Sequence, residues 1–499
     1  MSQLKALKIH PRDNVAVVLK DVEKCDSVSV ELDGLVITAE GPVPSGHKIA
    51  LTDILETDNI IKYGYPIGHA TVNIKAGQHA HTHNIATNLG DLLEYTYKPE
   101  LSKSEINVIP DSFWGYERQD GKVGIRNEIW IVNTVGCVNK TSEMLASKAN
   151  EKYKGLTDGV YAFPHPYGCS QIGEDQENTQ KILAGMVRHP NAGGILVLGL
   201  GCENNNIEVF KKVLGQYDSN RVKFLVTQES EDEIEDGLRL VGELADYAGS
   251  FKRTLQPVSK LIVGLKCGGS DAFSGITANP LVGAFSDKLL SQGGTTILTE
   301  VPEMFGAETL LMNRCVNEEV FNNTVSLIND FKEYYIKHDQ VIYDNPSPGN
   351  KKGGISTLEE KSLGCTQKGG TANVISVLNY GEQVRERGLN LLQGPGNDIV
   401  AVTTLMAAGA QLILFTTGRG TPIGAPVPTV KLSTNTALAE RKKNWIDFDS
   451  GRILTGSTIG EVTEELFEFV VKLASGEVHT KNEENGYREI AIFKIGVTL

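Results

Sequence analysis

The pattern of hydrophobic and polar positions changes once along this chain of 499 residues. Residues 8–90 contain short runs in which apolar and polar residues alternate, such as "NVAVVL", "SVSV" and "LVITA", separated by glycine, proline and aspartate. Alternation with a period of two places apolar side chains on one face of a β-strand. The pattern predicts a small all-β module over residues 1–95.

From residue 116 onward, apolar runs of strand length recur between longer amphipathic stretches. They are apolar at almost every position, as strands buried on both faces of a sheet must be. Two intervening stretches, 140–153 and 230–248, have the apolar spacing of helices. This alternation predicts an α/β fold with mostly parallel sheets, in one sheet or two. The predicted strands are 129–136, 159–164, 194–201, 222–227, 260–265, 295–300 and 411–418.

Two changes in composition predict the domain boundaries. Residues 96–115 are polar and without a clear period, which is typical of a linker. An acidic predicted helix ends near Gly249, and the basic turn "SFKRTLQP" follows it. We therefore expect a middle α/β domain over residues 116–255 and a C-terminal α/β domain over residues 256–499.

Charge and composition exclude several classes of protein. A formal net charge of −14 argues against binding to nucleic acid or to an anionic membrane surface. No apolar run approaches the roughly 18 residues of a transmembrane helix, and the N-terminus has no signal-peptide pattern. Seven cysteines without a close Cys-x-x-Cys pair fit a reducing compartment, so we expect a cytoplasmic protein.

Four cysteines come directly after predicted strands, each beside a glycine: Cys137, Cys169, Cys202 and Cys267. Ligands of open parallel sheets bind outside the carboxyl ends of the strands. One interpretation is an iron–sulfur protein in which Cys137, Cys169 and Cys267 hold a cluster. The alternative is that glycine permits a tight turn and cysteine is a small buried filler.

Three later loops combine small polar residues with a cation suited to binding a carboxylate. The loop 265–280 follows a strand, and its successive backbone N–H groups are able to form an anion-binding nest. The segment 393–422 reads as loop, helix, strand and turn, and either Asn397 or Asp398 is placed to cap its helix. The third loop is 362–370. Their candidate residues are Lys266, Cys267, Ser270 and Asp271 in the first, Asn397 and Arg419 in the second, and Lys368 in the third.

The stretch "HAHTHN" places His79, His81 and His83 at alternate positions. On a continuous strand these side chains project from one face, about 7 Å apart from one to the next. Two of them are able to bind one metal ion with help from elsewhere, and imidazole suits Zn, Fe, Mn and Cu. The alternative is a polar sheet face.

Longer motifs resemble the altronate/galactarate dehydratase family over nearly the whole chain. They include "HKIALTDI", "HAHTHN", "YGCSQIGED", "LGLGCENN", "CGGSDAFSGITANP" and "FTTGRGTPIG". The resemblance implies an N-terminal β-clip module, a middle domain involved in dimer formation, and a Rossmann-like catalytic domain without nicotinamide. It also implies a homodimer that dehydrates a small aldonate, D-altronate, to 2-dehydro-3-deoxy-D-gluconate with Fe²⁺ or Mn²⁺.

Loss of water from a 2,3-dihydroxy acid defines the roles that these residues would fill. A base removes the C2 proton, a cation holds the carboxylate, and an acid or Lewis acid assists loss of the C3 hydroxyl. Lys266 is a candidate base if burial lowers its pKa. The catalytic candidates are His81, His83 and Lys266; the substrate-binding candidates are Lys368, Arg419, Ser270 and Asn397; the metal-binding candidates are His81, His83, Cys267, Asp271 and Glu300.

Other functions remain open at this stage. Galactarate dehydratase and sulfolactate lyase belong to the same family and differ in substrate length and end-group charge. A protein of another class would bind sugar acids without catalysis.

Overall fold

A computed structural model gives the fold and describes residues 4–32, 34–90, 92–102 and 110–499. Over these ranges an all-β module is followed by two α/β domains, which confirms the predicted fold class. Across the same ranges, no helix combines the length and the apolar character that a membrane crossing requires.

The N-terminal module consists of nine short strands. Six form a sheet in the order β4-β3-β1-β2-β5-β8, and three form a second sheet in the order β6-β7-β9. Valine, isoleucine and alanine side chains fill the space beneath them, as the alternating pattern requires. The strands are β1 Leu4–Leu7, β2 Val15–Val18, β3 Ser27–Glu31, β4 Val36–Thr38, β5 Lys48–Ala50, β6 Asn59–Lys62, β7 Tyr65–Ala70, β8 His79–Ala80 and β9 Ile85–Ala86.

A chain segment and a small antiparallel sheet connect the module to the rest of the protein. Residues 92–102 lie along the C-terminal domain, where the Tyr97 hydroxyl donates to the carbonyl of Cys315 at 2.6 Å. The sheet has the order β11-β10-β16, formed by β10 Ser112–Glu117, β11 Val123–Gly124 and β16 Arg253–Pro257. Strand β10 thus begins within residues 96–115, and β16 spans residue 255. The remainder of the linker, residues 103–109, lies outside the described ranges.

The middle domain is built on a four-stranded parallel sheet in the order β13-β12-β14-β15. Its strands are β12 Glu128–Asn133, β13 Val160–Ala162, β14 Ala192–Gly199 and β15 Val222–Val226. Its helices are α1 Asn139–Lys152, α2 Gly173–Val187, α3 Ile207–Leu214 and α4 Glu233–Gly249. The first four predicted strands of the α/β part and both predicted helices are confirmed.

The C-terminal domain has a seven-stranded parallel sheet in the order β19-β20-β18-β17-β21-β22-β23. The other three predicted strands correspond to β17 Ile262–Cys267, β18 Thr295–Leu298 and β21 Leu412–Thr417. The apolar pattern therefore belongs to two sheets. Four strands were not predicted, because they are short or interrupted by polar residues: β19 Val374–Leu378, β20 Leu389–Leu392, β22 Thr429–Ser433 and β23 Phe448–Asp449.

Helices cover this sheet, and the core extends into the middle domain. Buried His189 of the middle domain donates from Nε2 to the carbonyl of Ala410 at 3.1 Å. The helices are α5 Ala278–Ser291, α6 Glu308–Met312, α7 Glu318–Lys337, α8 Pro348–Lys352, α9 Leu358–Cys365, α10 Asp398–Ala407, α11 Thr436–Arg441, α12 Ile459–Ser475 and α13 Lys481–Glu484.

Candidate active site

A cavity of about 690 Å³ opens at the carboxyl edge of the seven-stranded sheet. Strand β17 ends at Cys267 beside the cavity, and two glycines follow it. Helix α10 also begins there, and the side chain of its N-cap residue Asn397 accepts a hydrogen bond from the N–H of Val400. This is the edge at which parallel α/β sheets bind ligands. Residues that line the cavity include Cys267, Glu303, Asn350, Lys361, Asn397 and Asp398.

A buried ionic network adjoins the cavity. Lys266 Nζ donates to Glu300 and lies 2.9 Å from Asp398 Oδ1. Lys368 Nζ lies 3.4 Å from the other oxygen of Glu300. Both lysines are at most 1% exposed. Buried charges require partners, because removing them from water costs several kcal/mol per ion. The structure thus brings three candidates together, namely Lys266, Glu300 and Lys368.

A second ion pair completes the network and holds a cavity-lining cation. Lys361 Nζ lies 2.8 Å from Glu303 Oε1. Three lysines therefore face three carboxylates, and the network is balanced in charge. The sequence interpretation omitted Lys361 and Glu303, and it considered Asp398 only as a helix cap. Glu303 lies three residues after Glu300 in "TEVPE", just past a predicted strand, and Lys361 lies shortly before a glycine in "EEKSLGC". These positions were the features from which the sequence could have predicted them as site residues.

The pKa values within the network contradict one prediction. Burial alone lowers the pKa of Lys266, but the carboxylates of Glu300 and Asp398 outweigh it and raise that pKa well above its usual value. Lys266 is therefore held protonated, and the expectation of a base with a lowered pKa is wrong. Burial and neighbouring Glu303 instead raise the pKa of Glu300. Glu300 also has a left-handed backbone, with φ of 71°, which is strained for a residue with a Cβ.

Two thiols and a carboxylate form a compact group at the same edge. Cys267 Sγ lies 3.3 Å from Cys365 Sγ, and the two sulfurs lie 2.9 Å and 3.1 Å from Glu303 Oε2. The Ser270 hydroxyl lies 3.5 Å from Cys267 Sγ. The three ligand atoms of Cys267, Glu303 and Cys365 lie within 4.8 Å of one another, which is close enough to hold one metal ion.

The N-terminal module is docked on helix α9 through buried charges. Lys48 Nζ and Lys62 Nζ lie 2.8 Å and 2.7 Å from the two carboxylate oxygens of Glu360, and all three residues are at most 2% exposed. Lys48 also donates to the carbonyl of Gly354 at 2.8 Å. Helix α9 contributes Lys361 and Cys365 to the cavity region, so the module supports the elements that carry them.

The histidine row does not continue as one strand, which contradicts the predicted geometry. Strand β8 ends at Ala80, and the chain turns over residues 81–84. His79 and His81 instead lie against His47 of the neighbouring segment, with His47 Nδ1 3.0 Å from His79 Nε2. These three form a possible metal-binding group, to which exposed His83 does not belong. His47 was missed because it is distant from the row in sequence.

The environment of the histidines keeps them neutral. Burial, together with the neighbouring histidines, lowers the pKa of His79 to about 3. Burial and nearby Lys48 lower the pKa of His81 to about 4. Neutral imidazole offers a lone pair to a metal but has no proton to give as a strong acid. His81 Nδ1 lies 3.1 Å from the Ser356 hydroxyl, so it joins the module to the segment before α9.

Family models cover almost the whole chain. They describe an "Altronate/galactarate dehydratase SAF domain" at residues 4–88, a "D-galactarate dehydratase/Altronate hydrolase, second domain" at 115–249, and a "D-galactarate/Altronate dehydratase, C-terminal" domain at 258–498. The chain belongs to the altronate/galactarate dehydratase family. The resemblance inferred from the motifs is confirmed, and the all-β module is the SAF domain of this family.

Curated relatives match this altronate/galactarate dehydratase family member over its full length. Altronate dehydratase of Bacillus subtilis (strain 168) is 52% identical, and 99% of each chain is covered. Altronate dehydratase of Escherichia coli (strain K12) is 51% identical, over 99% of this chain and all of the relative. Galactarate dehydratase (L-threo-forming) of the same strain is 34% identical, over 98% of this chain and 96% of the relative.

Two other site candidates of this family member lie apart from the ionic network. The carboxylate of Asp271 accepts from the backbone N–H of Ser274 at 3.0 Å and from the Thr434 hydroxyl at 3.0 Å, and it belongs to neither metal-binding group. The side chain of Arg419 is exposed, while its backbone N–H donates to the carbonyl of Gly269 at 3.0 Å beside the cavity. Their predicted metal-binding and substrate-binding roles stay predictions.

Proposed function

We propose that this protein is a hydro-lyase that dehydrates D-altronate to 2-dehydro-3-deoxy-D-gluconate in hexuronate catabolism. The observation that carries the proposal is the identity of about half of all positions, over nearly the full length, with two relatives named altronate dehydratase. A charged cavity at the carboxyl edge of the sheet, with the buried ionic network beside it, supports the proposal. We also propose a cytoplasmic homodimer that binds neither nucleic acid nor membrane; the unpaired cysteines support the location.

Cations at the cavity bind the carboxylate of the aldonate in this proposal. Lys361 lines the cavity, and Arg419 lies exposed beside Gly269 at the cavity wall. Asn397 lines the cavity and offers polar contacts to the sugar hydroxyls, whereas the Ser270 hydroxyl is buried beside Cys267 and acts on the substrate only through that residue. Lys368 acts on the substrate through Glu300, because it is buried and paired with that carboxylate. A charge-assisted hydrogen bond to a carboxylate contributes about 1.5–3 kcal/mol.

Glu300 is the group we assign to removal of the C2 proton. Its raised pKa brings its protonation equilibrium closer to neutral pH, which is the condition for an effective general base. Lys266, held protonated by the carboxylates, stabilises the negative charge that develops on the substrate as the C2 proton leaves. A positioned base contributes roughly 10²–10⁴-fold to the rate.

Fe²⁺ or Mn²⁺ is the cofactor we propose, held by Cys267, Glu303 and Cys365. The donor set fits a divalent ion on grounds of charge. The three lysines and three carboxylates of the network balance one another, so the two positive charges of the ion are compensated when the two thiols lose their protons on binding it. When bound, the ion supplies Lewis-acid stabilisation of negative charge on oxygen. Thiolate ligands favour Fe²⁺ over Mn²⁺.

An anaerobic assay with a panel of aldonates and aldarates tests the proposal. The protein loaded with Fe²⁺ should form a 2-keto acid from D-altronate faster than from galactarate. A chelator should abolish the reaction, and adding Fe²⁺ back should restore it. A higher rate on galactarate would assign the protein to the other dehydratase of the family. Binding of altronate without loss of water would identify a sugar-acid-binding protein.

A further inference from the structure

Three cysteines of the middle domain lie at one edge of its parallel sheet. Strands β13, β12 and β14 are neighbours and run in the same direction, so the turns after them share the carboxyl edge. Cys137 follows β12, Cys169 follows β13 and Cys202 follows β14, each directly after a glycine. Neither the ionic network nor the cavity of the C-terminal domain includes them.

Hydrogen bonds connect the three turns to one another. The Gly136 N–H donates to the carbonyl of Tyr167 at 2.9 Å, and the Asn205 N–H donates to the carbonyl of Gly168 at 3.1 Å. A Cβ at Gly168 would lie 1.9 Å from the carbonyl oxygen of Thr134, so the turns approach closely enough to require glycine there. The three cysteines are therefore presented together by one compact set of loops.

All three thiols are exposed and unpaired. Free cysteine is among the most frequently buried residue types, and the buried Cys267, Cys315 and Cys365 follow that rule. Three exposed cysteines at one sheet edge are therefore not explained by packing. Gln228 Nε2 lies 3.6 Å from Cys202 Sγ, which places an amide donor beside one of the sulfurs.

Buried polar atoms without partners surround the same turns. They are Asn133 Oδ1 at the end of β12, Gln171 Nε2 two residues after Cys169, and Asn205 Oδ1 three residues after Cys202. These side chains are at most 2% exposed. A buried polar atom normally has a hydrogen-bond partner. Of the three, the Gln171 amide N–H is a donor, the kind of group from which a sulfide of a cluster accepts, whereas the two asparagine oxygens are acceptors and are not explained by a cluster. This observation is independent of the cysteines themselves.

We propose that Cys137, Cys169 and Cys202 hold an iron–sulfur cluster. In the described ranges, the groups whose ligand atoms all lie within 4.8 Å are His47–His79–His81 and Cys267–Glu303–Cys365, so the three sulfurs of this edge are spread more widely. A single ion with bonds of about 2.3 Å needs its sulfurs within about 4.6 Å of one another. A cluster spans a greater distance, because bridging sulfides separate its irons.

This cysteine set differs from the one considered from the sequence. Cys267 lies in the C-terminal domain, where it is 1% exposed and its Sγ contacts that of Cys365. Cys202 is therefore the third cysteine of the proposed set. Three thiolates leave one iron of a four-iron cluster without a cysteine, and that iron is free to bind an oxygen of a hydroxy acid. The proposal does not rest on altronate being the substrate.

Anaerobic reconstitution of the full-length protein with Fe²⁺ and sulfide tests the proposal. The readouts are acid-labile sulfide, iron and visible absorption, none of which requires activity. The wild-type protein should bind sulfide and turn brown. The variants Cys137→Ser, Cys169→Ser and Cys202→Ser should each lose at least about 80% of the sulfide. The matched controls, Cys25→Ser at an exposed cysteine of the SAF domain and Cys267→Ser, should retain it.

Two results would overturn the proposal. One is sulfide binding that persists in the triple variant; the other is iron uptake without sulfide, which would indicate single ions only. Alkylation of the wild-type protein covers the case in which the variants fail to fold. Mass spectrometry should show Cys137, Cys169 and Cys202 protected by reconstitution and reactive after chelation, while Cys25 reacts in both states. Equal reactivity of all four would refute the cluster.

Discussion

Replacing Glu360 by glutamine should destabilise the contact between the SAF domain and helix α9 far more than removing one of its lysines. Glu360 is the carboxylate that pairs with both Lys48 and Lys62. Glu360→Gln leaves two buried ammonium groups without an opposite charge, whereas Lys48→Met leaves a neutral pair of Lys62 and Glu360. Breaking a buried ion pair costs about 3–5 kcal/mol.

The pKa values set a ceiling on this cost. Burial is the largest influence on Lys48 and lowers its pKa to about 8 even beside Glu360, whose own pKa the two lysines lower to about 2. Without Glu360 each lysine is able to lose its proton, at a cost of about 5 kcal/mol at pH 7 for an ordinary pKa of about 10.5. Lys48→Met loses a hydrogen bond to Gly354, for about 1–2 kcal/mol. We expect the Glu360→Gln cost to exceed it by at least about 2 kcal/mol.

The pH dependence distinguishes lost charge pairing from lost packing. In Glu360→Gln the lysine pKa values in the folded state fall below the unfolded value, so the unfolded state binds more protons between those values. Stability then rises with pH, and the destabilisation should shrink from pH 7 toward pH 10. The cost of Lys48→Met should instead grow above pH 8, because wild-type Lys48, with its pKa lowered to about 8, contributes a rise in stability with pH that the variant lacks.

Hydrogen exchange of the SAF domain is the appropriate measurement. The three tryptophans, Trp114, Trp130 and Trp445, lie outside residues 1–95, so tryptophan fluorescence does not report on this domain. The free energy of opening is read from the amides of β5 and β7, with the middle-domain strand β14 as an internal control. Equal opening free energies in the two variants, or a Glu360→Gln cost independent of pH, would refute the reasoning.

Further predictions concern catalysis and acid stability. Glu300→Gln should lower kcat at least about 10²-fold with folding intact; an unchanged kcat would remove it as the base. Arg419→Ala should lower kcat/KM at least about tenfold through one charged hydrogen bond, and equal values would exclude it from the site. His81→Ala should lower kcat at least about tenfold, because it removes the hydrogen bond to Ser356 that holds the segment before α9. Exposed His83→Ala should change kcat less than about threefold, and equal effects would refute the positioning role of His81. Burial lowers the pKa of His189 to about 3, so its stabilisation is complete above pH 6.5 and is lost as pH falls toward 3. The stability advantage of wild type over His189→Gln should thus shrink by about 2–3 kcal/mol from pH 6.5 to 4.5 in urea titrations, and a constant difference would contradict it.

The hydrophobic pattern was sufficient to predict the fold class and most strands of the parallel sheets. Strands such as β14 and β21 are buried at every position, so almost all of their residues are apolar and the run stands out in the sequence. Strands β20 and β22 escaped prediction, because buried Asn390 interrupts the first and buried Lys431 interrupts the second. Local pattern does not reveal a strand whose burial is completed by distant helices.

The sequence by itself determined which residue types are present at strand ends, and tertiary structure decided which of them meet. Strand polarity alone predicts that Lys266 and Glu300 share an edge, since Lys266 lies at the carboxyl end of β17 and Glu300 follows the carboxyl end of the parallel strand β18. Cys365 approaches Cys267 only because helix α9 packs across that edge, and His47 joins His79 only because β5 pairs with β8. Charge states depend on the same distant neighbours: burial alone lowers the pKa of Lys266, and two carboxylates supplied by other segments raise it.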